Sequence, residues 1–301
     1  MIPAAFEYLC PAGVEEAVRM LALGGAKAQV LAGGQSLLPM MRLRQATPAL
    51  VVDLGRVPQL CGVREEARSL HIGAMTTHHD VLHSALVRRH APLLAAATET
   101  VGDPAVRHRG TLGGALAHAD PASDLPAVVL ALDGELMAEG PRGLRAIPAA
   151  EFFVGRLRTA LEPGELLVGI RVPKLGAGWG FHYEKFRHSA QASAVVSVAV
   201  AVRREASGIA EARIALANMG TTPLRAPAAE AALVGADATV AFVARAAEAA
   251  ADGTSPASGP GITREYRTHL ARVLTRRGVL AAAGLGADGT SPVHERSFRI
   301  R

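Results

Sequence analysis

The stretch VLAGGQSLLPMMRLR (30–44) sets two glycines, a glutamine and a serine between a short apolar run and a basic amphipathic segment. Just upstream, GVEEAVRMLALGG (13–25) has apolar residues at helical spacing, acids in its first turn and a Gly-Gly stop, which predicts a helix. AQVLAGG (28–34) then predicts a short buried strand ending in a turn. Two readings fit the glycine pair. It is a tight strand-to-helix turn, or it is backbone bared for a phosphate, because without a Cβ an anion can approach the amide N–H groups.

A second glycine pair lies in RHRGTLGGALAHADPASDLPAVVLAL (107–132), where Gly110, Gly113 and Gly114 surround Thr111, and Asp120 and Asp124 precede an apolar helix. Ser36 and Thr111 each carry a hydroxyl able to donate to a phosphate oxygen, and a helix N-terminus adds partial positive charge. Neither loop has the G-x-G-x-x-G spacing of a dinucleotide fold or the G-x-x-x-x-G-K-[ST] of a P-loop. Two such loops, each followed by a helix, suit a ligand with two adjacent phosphates.

Working outward, ALVVDLGRV (49–57) and SLHIGAMTT (69–77) are further strand candidates, and residues 77–102 predict a helix, an interruption at Pro92 and a second helix. EPGELLVGIRVP (162–173) predicts a strand closed by Pro173, and the glycine-rich KLGAGWG (174–180) reads as a connector between domains. ASAVVSVAVAVRRE (192–205) and IAEARIALANMG (209–220) predict two long strands joined by a polar turn at Ser207-Gly208. Helices are expected over 224–235, 240–252 and 264–284. The fold class is α+β. ADGTSP occurs at 251–256 and again at 287–292, with unmatched flanks, and both copies read as flexible linkers.

A chain of 301 residues accommodates two domains. No segment approaches the roughly 18–20 apolar residues of a membrane span, and the N-terminal residues lack the basic-then-apolar order of a secretory signal. The net charge of +5 comes mostly from scattered arginine pairs, without a dense basic run or aromatic platform, which argues against nucleic-acid binding. The two cysteines, Cys10 and Cys61, are far apart and can neither hold an iron–sulfur cluster nor build a zinc site; they read as reduced cytosolic thiols. His78, His79 and His118 have no third ligand at useful spacing and read as loop or surface histidines, so no metal site is expected.

LAGGQSLLPMMRLR, RGTLGGALAHADPASDLPAVVLAL and YEKFR (183–187), in that order, resemble the FAD-carrying medium subunit of molybdenum hydroxylases, a family that includes carbon monoxide and xanthine dehydrogenases. FEYLCPAGVEEAV (6–18) and REYRTHLARVLTRR (264–277) fit as well, so the resemblance spans residues 2 to about 284. It implies an FAD-binding domain of the vanillyl-alcohol-oxidase (PCMH) type over 1–175, with subdomains of about 1–55 and 56–175. A smaller C-terminal α+β domain of antiparallel sheet plus helices follows over 180–284, then a tail over 285–301. It implies that Leu31, Ala32, Gly33, Gly34, Gln35 and Ser36 wrap the FAD pyrophosphate, mainly through backbone N–H groups. Thr111, Gly113 and Gly114 serve the phosphates and ribitol, and Asp124 the polyol or ribose hydroxyls. Val101 and Gly102 lie beside the flavin, Leu167 packs on the ring system, and Lys185, one of only three lysines, sits near the polar edge.

Bland readings stand beside these: Asp124 as a helix cap, Lys185 as a solvated strand lysine, Asp120 as a brace of its loop. Gln35 stands where carbon monoxide dehydrogenases often carry histidine, His108 where asparagine is common, and SAQASAVV replaces the usual GD after YEKFR; these departures weaken a carbon monoxide assignment. The resemblance further implies a large molybdenum-cofactor subunit and a small subunit with two [2Fe–2S] clusters, in a dimer of heterotrimers. The chain is then a cytoplasmic electron carrier that takes electrons from the iron–sulfur subunit and delivers them to a quinone, NAD or another acceptor. The cofactor does the redox chemistry, so no catalytic side chain is named. A self-sufficient flavin oxidase and a scaffold that has lost its cofactor are the alternatives.

Overall fold

The apolar run before the first glycine pair forms the strand Ala28–Leu31 of a three-stranded parallel sheet, ordered Glu7–Leu9, Leu50–Asp53, Ala28–Leu31. Parallel neighbours require crossovers, and the helix Val14–Gly24 covers the sheet by packing Ala17, Val18 and Leu21 against Val52 and Leu54. This computed structural model describes residues 2–285 except 190, 207, 236–238 and 260, so Ser207, the second ADGTSP copy and the tail from 286 lie outside the described residues.

A five-stranded antiparallel sheet follows, in the order Val63–Glu65, Ser69–Gly73, Leu166–Pro173, Glu135–Gly140, Gly143–Pro148. The helices Pro92–Glu99 and Asp124–Ala131 share a core with it; the second is buried along its whole length and hydrophobic all round, as a central helix must be.

The last sheet runs Trp179–Phe186, Val196–Glu205, Gly208–Ala217, Leu224–Arg225. VSVAVAV (196–202) is buried throughout, and its alternation explains how. Val196, Val198, Val200 and Val202 face a core shared with the helices Pro227–Leu233, Val240–Ala247 and Arg264–Ala282. The small Ala199, together with Ala215 and Ala217, faces the core of the 92–99 and 124–131 helices. Small residues on that face let the sheet lie close on the preceding domain. Backbone bonds tie the seam, Asn218 N–H to Pro121 O at 2.7 Å and Ala194 N–H to Ala122 O at 3.3 Å.

The α+β class is the one observed, with local differences. The 49–57 strand stops at Asp53, whose carboxylate accepts from Gly55 N–H at 2.8 Å and turns the chain into a 3-10 helix. The 77–102 region breaks at Ser84 as well as at Pro92, giving His78–His83, Ala85–His90 and Pro92–Glu99, because the Ser84 hydroxyl caps the middle helix. Leu224–Arg225 pairs as an edge strand, and the expected 224–235 helix begins only at Pro227. The first ADGTSP copy is packed rather than flexible: Ser255 N–H donates to Met219 O at 2.9 Å, and Pro256 is buried.

Candidate functional site

The Ala28–Leu31 strand delivers the chain into the first glycine loop at the sheet edge, and Leu38 N–H returns to Gly34 O to start the helix Leu37–Arg42. Gly34 has φ +75°, a left-handed value that suits glycine. Among the described residues, the N–H groups of Gly33, Gly34, Gln35 and Ser36 donate to no protein acceptor. Buried or half-buried amides are normally paired, so this run is a set of donors held for something else.

The second loop lies directly against the first. A Cβ on Gly33 would stand 2.0 Å from the Arg109 carbonyl oxygen and 2.8 Å from Gly110 Cα, so only glycine permits this approach. The second loop's own amides are mostly used internally. Leu112 N–H donates to Thr76 O at 3.0 Å, Gly113 N–H to Ala74 O at 2.8 Å, and Gly114 N–H to the capping Thr111 hydroxyl at 3.1 Å. A Cβ on Gly113 would meet Ala74 at 2.5 Å, so Gly113 is a packing glycine. The first loop thus carries the free donors, and the second supplies the wall and the Thr111 hydroxyl.

Between the loops lies a cleft of about 310 Å³, lined by Ala32, Gly33, Gly34, Gln35, Ser36, Thr111 and Gly114, together with residues the sequence reading did not select, including Met40, Ala115 and Leu157. Among the described residues no acid is in its walls, which leaves the site favourable to an anion. An apolar slot of about 70 Å³, with Leu167, Gly113, Leu54 and Met75 in its walls, shares Val30, Ala32, Gly114 and Ala117 with the cleft. Leu31 is the last strand residue before the loop.

The remaining expected residues gather elsewhere. Asp124 and Lys185 form a buried ion pair, Nζ to Oδ2 at 2.6 Å, with side chains 6% and 5% exposed. Tyr183 Oη donates to Asp124 Oδ1 at 2.5 Å, and Lys185 Nζ also donates to Thr100 O at 3.3 Å, immediately before Val101 and Gly102. Burial pushes the Asp124 carboxyl above its ordinary range, opposed by Lys185 and Tyr183. Burial, and then Asp124, push Tyr183 well up. Ser123, not Asp124, occupies the cap position of the 124–131 helix, and Lys185 is not solvated, so neither bland reading describes them. None of Val101, Gly102, Asp124 and Lys185 lines the cleft or the slot. Asp120 braces its loop, accepting from Ala122 N–H at 3.0 Å.

One of the three histidines departs from expectation. His118 is on the cleft wall, while His79 stacks on His108 at 3.9 Å. His78 is buried on the cleft wall rather than on the surface. Burial, reinforced by Arg107, lowers its pKa from 6.5 to about 4. An unfolded chain therefore takes up this proton first as the pH falls through 6.5, while the folded chain resists until about 4. The stability difference is fully present above 6.5 and lost across that window, by about 3 kcal/mol. Urea unfolding of the cofactor-free chain is expected to show this loss between pH 7 and pH 4, and a smaller one in His78→Phe; equal pH profiles would refute the assignment.

The fold is a two-domain α+β architecture with a cleft between paired glycine loops. Residues 4–175 match the family model described as the FAD binding domain in molybdopterin dehydrogenase, and residues 181–282 match the CO dehydrogenase flavoprotein C-terminal domain. The chain belongs to the family of FAD-carrying medium subunits of molybdenum hydroxylases. It is 42% identical to the carbon monoxide dehydrogenase medium chain of Hydrogenophaga pseudoflava, over 94% of this chain and 98% of the relative. It is 37% identical to the nicotine 6-hydroxylase medium subunit of Paenarthrobacter nicotinovorans, over 92% and 97% of the two chains. It superposes on a chain of quinoline 2-oxidoreductase from Pseudomonas putida 86 with a TM-score of 0.90, at 34% identity, covering 96% of this chain and all of that one. FAD is accordingly its cofactor, and it is one subunit of a larger oxidoreductase. Among the described residues no helix is long and apolar enough to cross a membrane, and no side-chain cluster could hold a metal ion.

Proposed function

We propose that the chain relays electrons inside a heterotrimeric molybdenum hydroxylase, from a [2Fe–2S] subunit to an external acceptor such as a quinone or NAD. When bound, FAD supplies the redox chemistry, accepting electrons and releasing them again. The chain's own contribution is to bind and orient it. The observation that carries this reading is the run of undonated N–H groups from Gly33 to Ser36, facing a cleft without acids. Those groups would hold the diphosphate together with the Thr111 hydroxyl, with Leu31 and Ala32 leading into the loop. The apolar slot with Leu167 and Gly113 in its walls is suited to an aromatic edge. Val101, Gly102, Asp124 and Lys185 would serve the same cofactor as a second cluster, with Lys185 joining Asp124 to Thr100 O. With only two cysteines the chain depends on partners for its iron–sulfur clusters and for the molybdenum cofactor.

The assembly is a dimer of heterotrimers in the cytoplasm, and any contact with the inner membrane is made through the holoenzyme. The substrate is carbon monoxide, an N-heterocycle, a purine or an aldehyde, chosen by the large subunit. Full-length chain refolded or expressed with FAD is expected to be yellow, with about one flavin per chain released on denaturation. It should turn over no small substrate until the large and small subunits are added. A folded, FAD-supplemented chain without flavin would overturn the reading, and steady turnover by the chain alone would support a self-sufficient flavin oxidase instead.

A further inference from the structure

His78 opens the helix His78–His83, and its backbone N–H donates to Gly110 O at 2.9 Å, tying the helix start to the second glycine loop. The ring is held as firmly as the backbone. It lies on Gly110, where a Cβ would stand 2.8 Å from Cδ2 and 3.2 Å from Nε2, and the residue is 4% exposed. The residue is part of the cleft wall, together with Gly33, Gly34, Ser36 and Thr111.

The fold gives this imidazole nothing to bond. Nδ1 is fully buried and has no hydrogen-bond partner among the described residues. The polar groups nearby are engaged with each other: Thr77 Oγ1 donates to Asp80 at 2.7 Å, His79 stacks on His108, and Arg107 donates to Val101 O at 3.0 Å. A neutral imidazole offers one N–H donor, and burying such a donor without an acceptor is unfavourable. Nδ1 is sealed off, so the ring nitrogen that an acceptor in the cleft can reach is Nε2, whose N–H has no partner among the described residues. Burial and the Arg107 charge keep the ring neutral near pH 7, so it remains a donor with a single proton and a second nitrogen to spare.

We infer that His78 is a cofactor-holding residue, its imidazole N–H donating to a phosphate oxygen of bound FAD beside the N–H groups of Gly33 to Ser36. The inference rests on the reading of this cleft as the diphosphate site. It gives a role to a buried, unpartnered imidazole on a wall that also carries His118, Gln29 and Gln35.

The two roles predict opposite effects of one substitution. Replacing an unpartnered buried imidazole by a ring of similar shape removes a penalty in the empty protein and a bond in the loaded one. Full-length chain stripped of FAD and titrated with FAD, followed by flavin fluorescence, should bind about 10- to 100-fold more weakly as His78→Phe, the value of one hydrogen bond to a charged group. Its cofactor-free melting temperature at pH 7 should equal or exceed that of wild type. His78→Gln, which keeps an N–H donor, should recover most of the affinity. In wild-type chain labelled with 15N-histidine, adding FAD should move the His78 ring-nitrogen resonance.

Affinity of His78→Phe equal to wild type would overturn the inference, as would a His78 resonance that FAD leaves in place. If His78→Phe does not fold, the nitrogen titration of wild type decides by itself. Wild type that takes no FAD would remove the diphosphate reading. Wild type that takes FAD with His78 unmoved would remove the His78 inference alone.

Discussion

Purified Gly33→Ala chain is expected to carry almost no flavin and to bind added FAD at least roughly 100-fold more weakly than wild type, equivalent to about 2.7 kcal/mol. The reason is steric and local. The new Cβ would fall 2.0 Å from the carbonyl oxygen of Arg109 and 2.7 Å from its carbon, both backbone atoms that cannot rotate away. The loops must part by more than 1 Å to reach ordinary contact at 3.4 Å or beyond. Overpacking of this kind disfavours the native arrangement by roughly 1–3 kcal/mol. Parting the loops separates the Gly33–Ser36 N–H groups from the wall they share with Thr111. Gln35→Ala is the matched control. Its side chain is exposed, and its N–H survives the change, so affinity should fall less than about threefold if the backbone does the binding. Flavin absorbance per chain, with circular dichroism to verify folding, checks both. Wild-type flavin content in Gly33→Ala would show that the paired loops do not hold the cofactor.

Lys185→Met is expected to destabilise the chain by roughly 3–5 kcal/mol, because it leaves the Asp124 carboxylate buried without its ion-pair partner, answered by the Tyr183 hydroxyl and the charge of Arg187. Asp124→Leu should be as damaging, since it strands the ammonium beside Thr100 O. The double variant Asp124→Leu/Lys185→Met should regain most of the loss, as buried pairs replaced by apolar groups commonly do. Urea unfolding measures this, read both by circular dichroism and by Trp179, the single tryptophan, which opens the C-terminal sheet. Flavin content then separates the two roles of the pair. A double variant that is stable and flavin-loaded makes the pair a clamp across the domain seam. One that is stable and flavin-poor makes it part of the cofactor site. Single variants within about 0.5 kcal/mol of wild type would contradict the buried pair itself, since that is the scale of exposed ion pairs.

The two glycine loops were legible because glycine at a close approach leaves a local mark: small residues between a strand pattern and a helix pattern. Their contact was not legible. Nothing in LAGGQS or RGTLGG records that Gly33 meets the backbone of residues 109–110, or that Gly113 turns away from the cleft toward Ala74. His78 was hidden for a related reason. THHDVLH presents three histidines at short spacing, and only the packing decides that the first is buried on the cleft wall while the second stacks on His108 at the surface. The motif resemblance selected Asp124 and Lys185 as separate ligands, whereas side-chain geometry joins them into one pair with Tyr183.

The sequence by itself determined the α+β class, most of the longer helices and strands, the positions of the two glycine loops and the family, all of which depend on local periodicity, turn chemistry or ordered motifs. Whether an amide is free or bonded was decided only by the tertiary structure. The N–H groups of Gly33 to Ser36 and of Gly113 belong to similar glycine loops, yet the first are left open and the last is bonded to Ala74 O. Hydrogen-bond satisfaction depends on what another part of the chain, far away in sequence, places within 3 Å, and residue identity at the loop does not encode that neighbour.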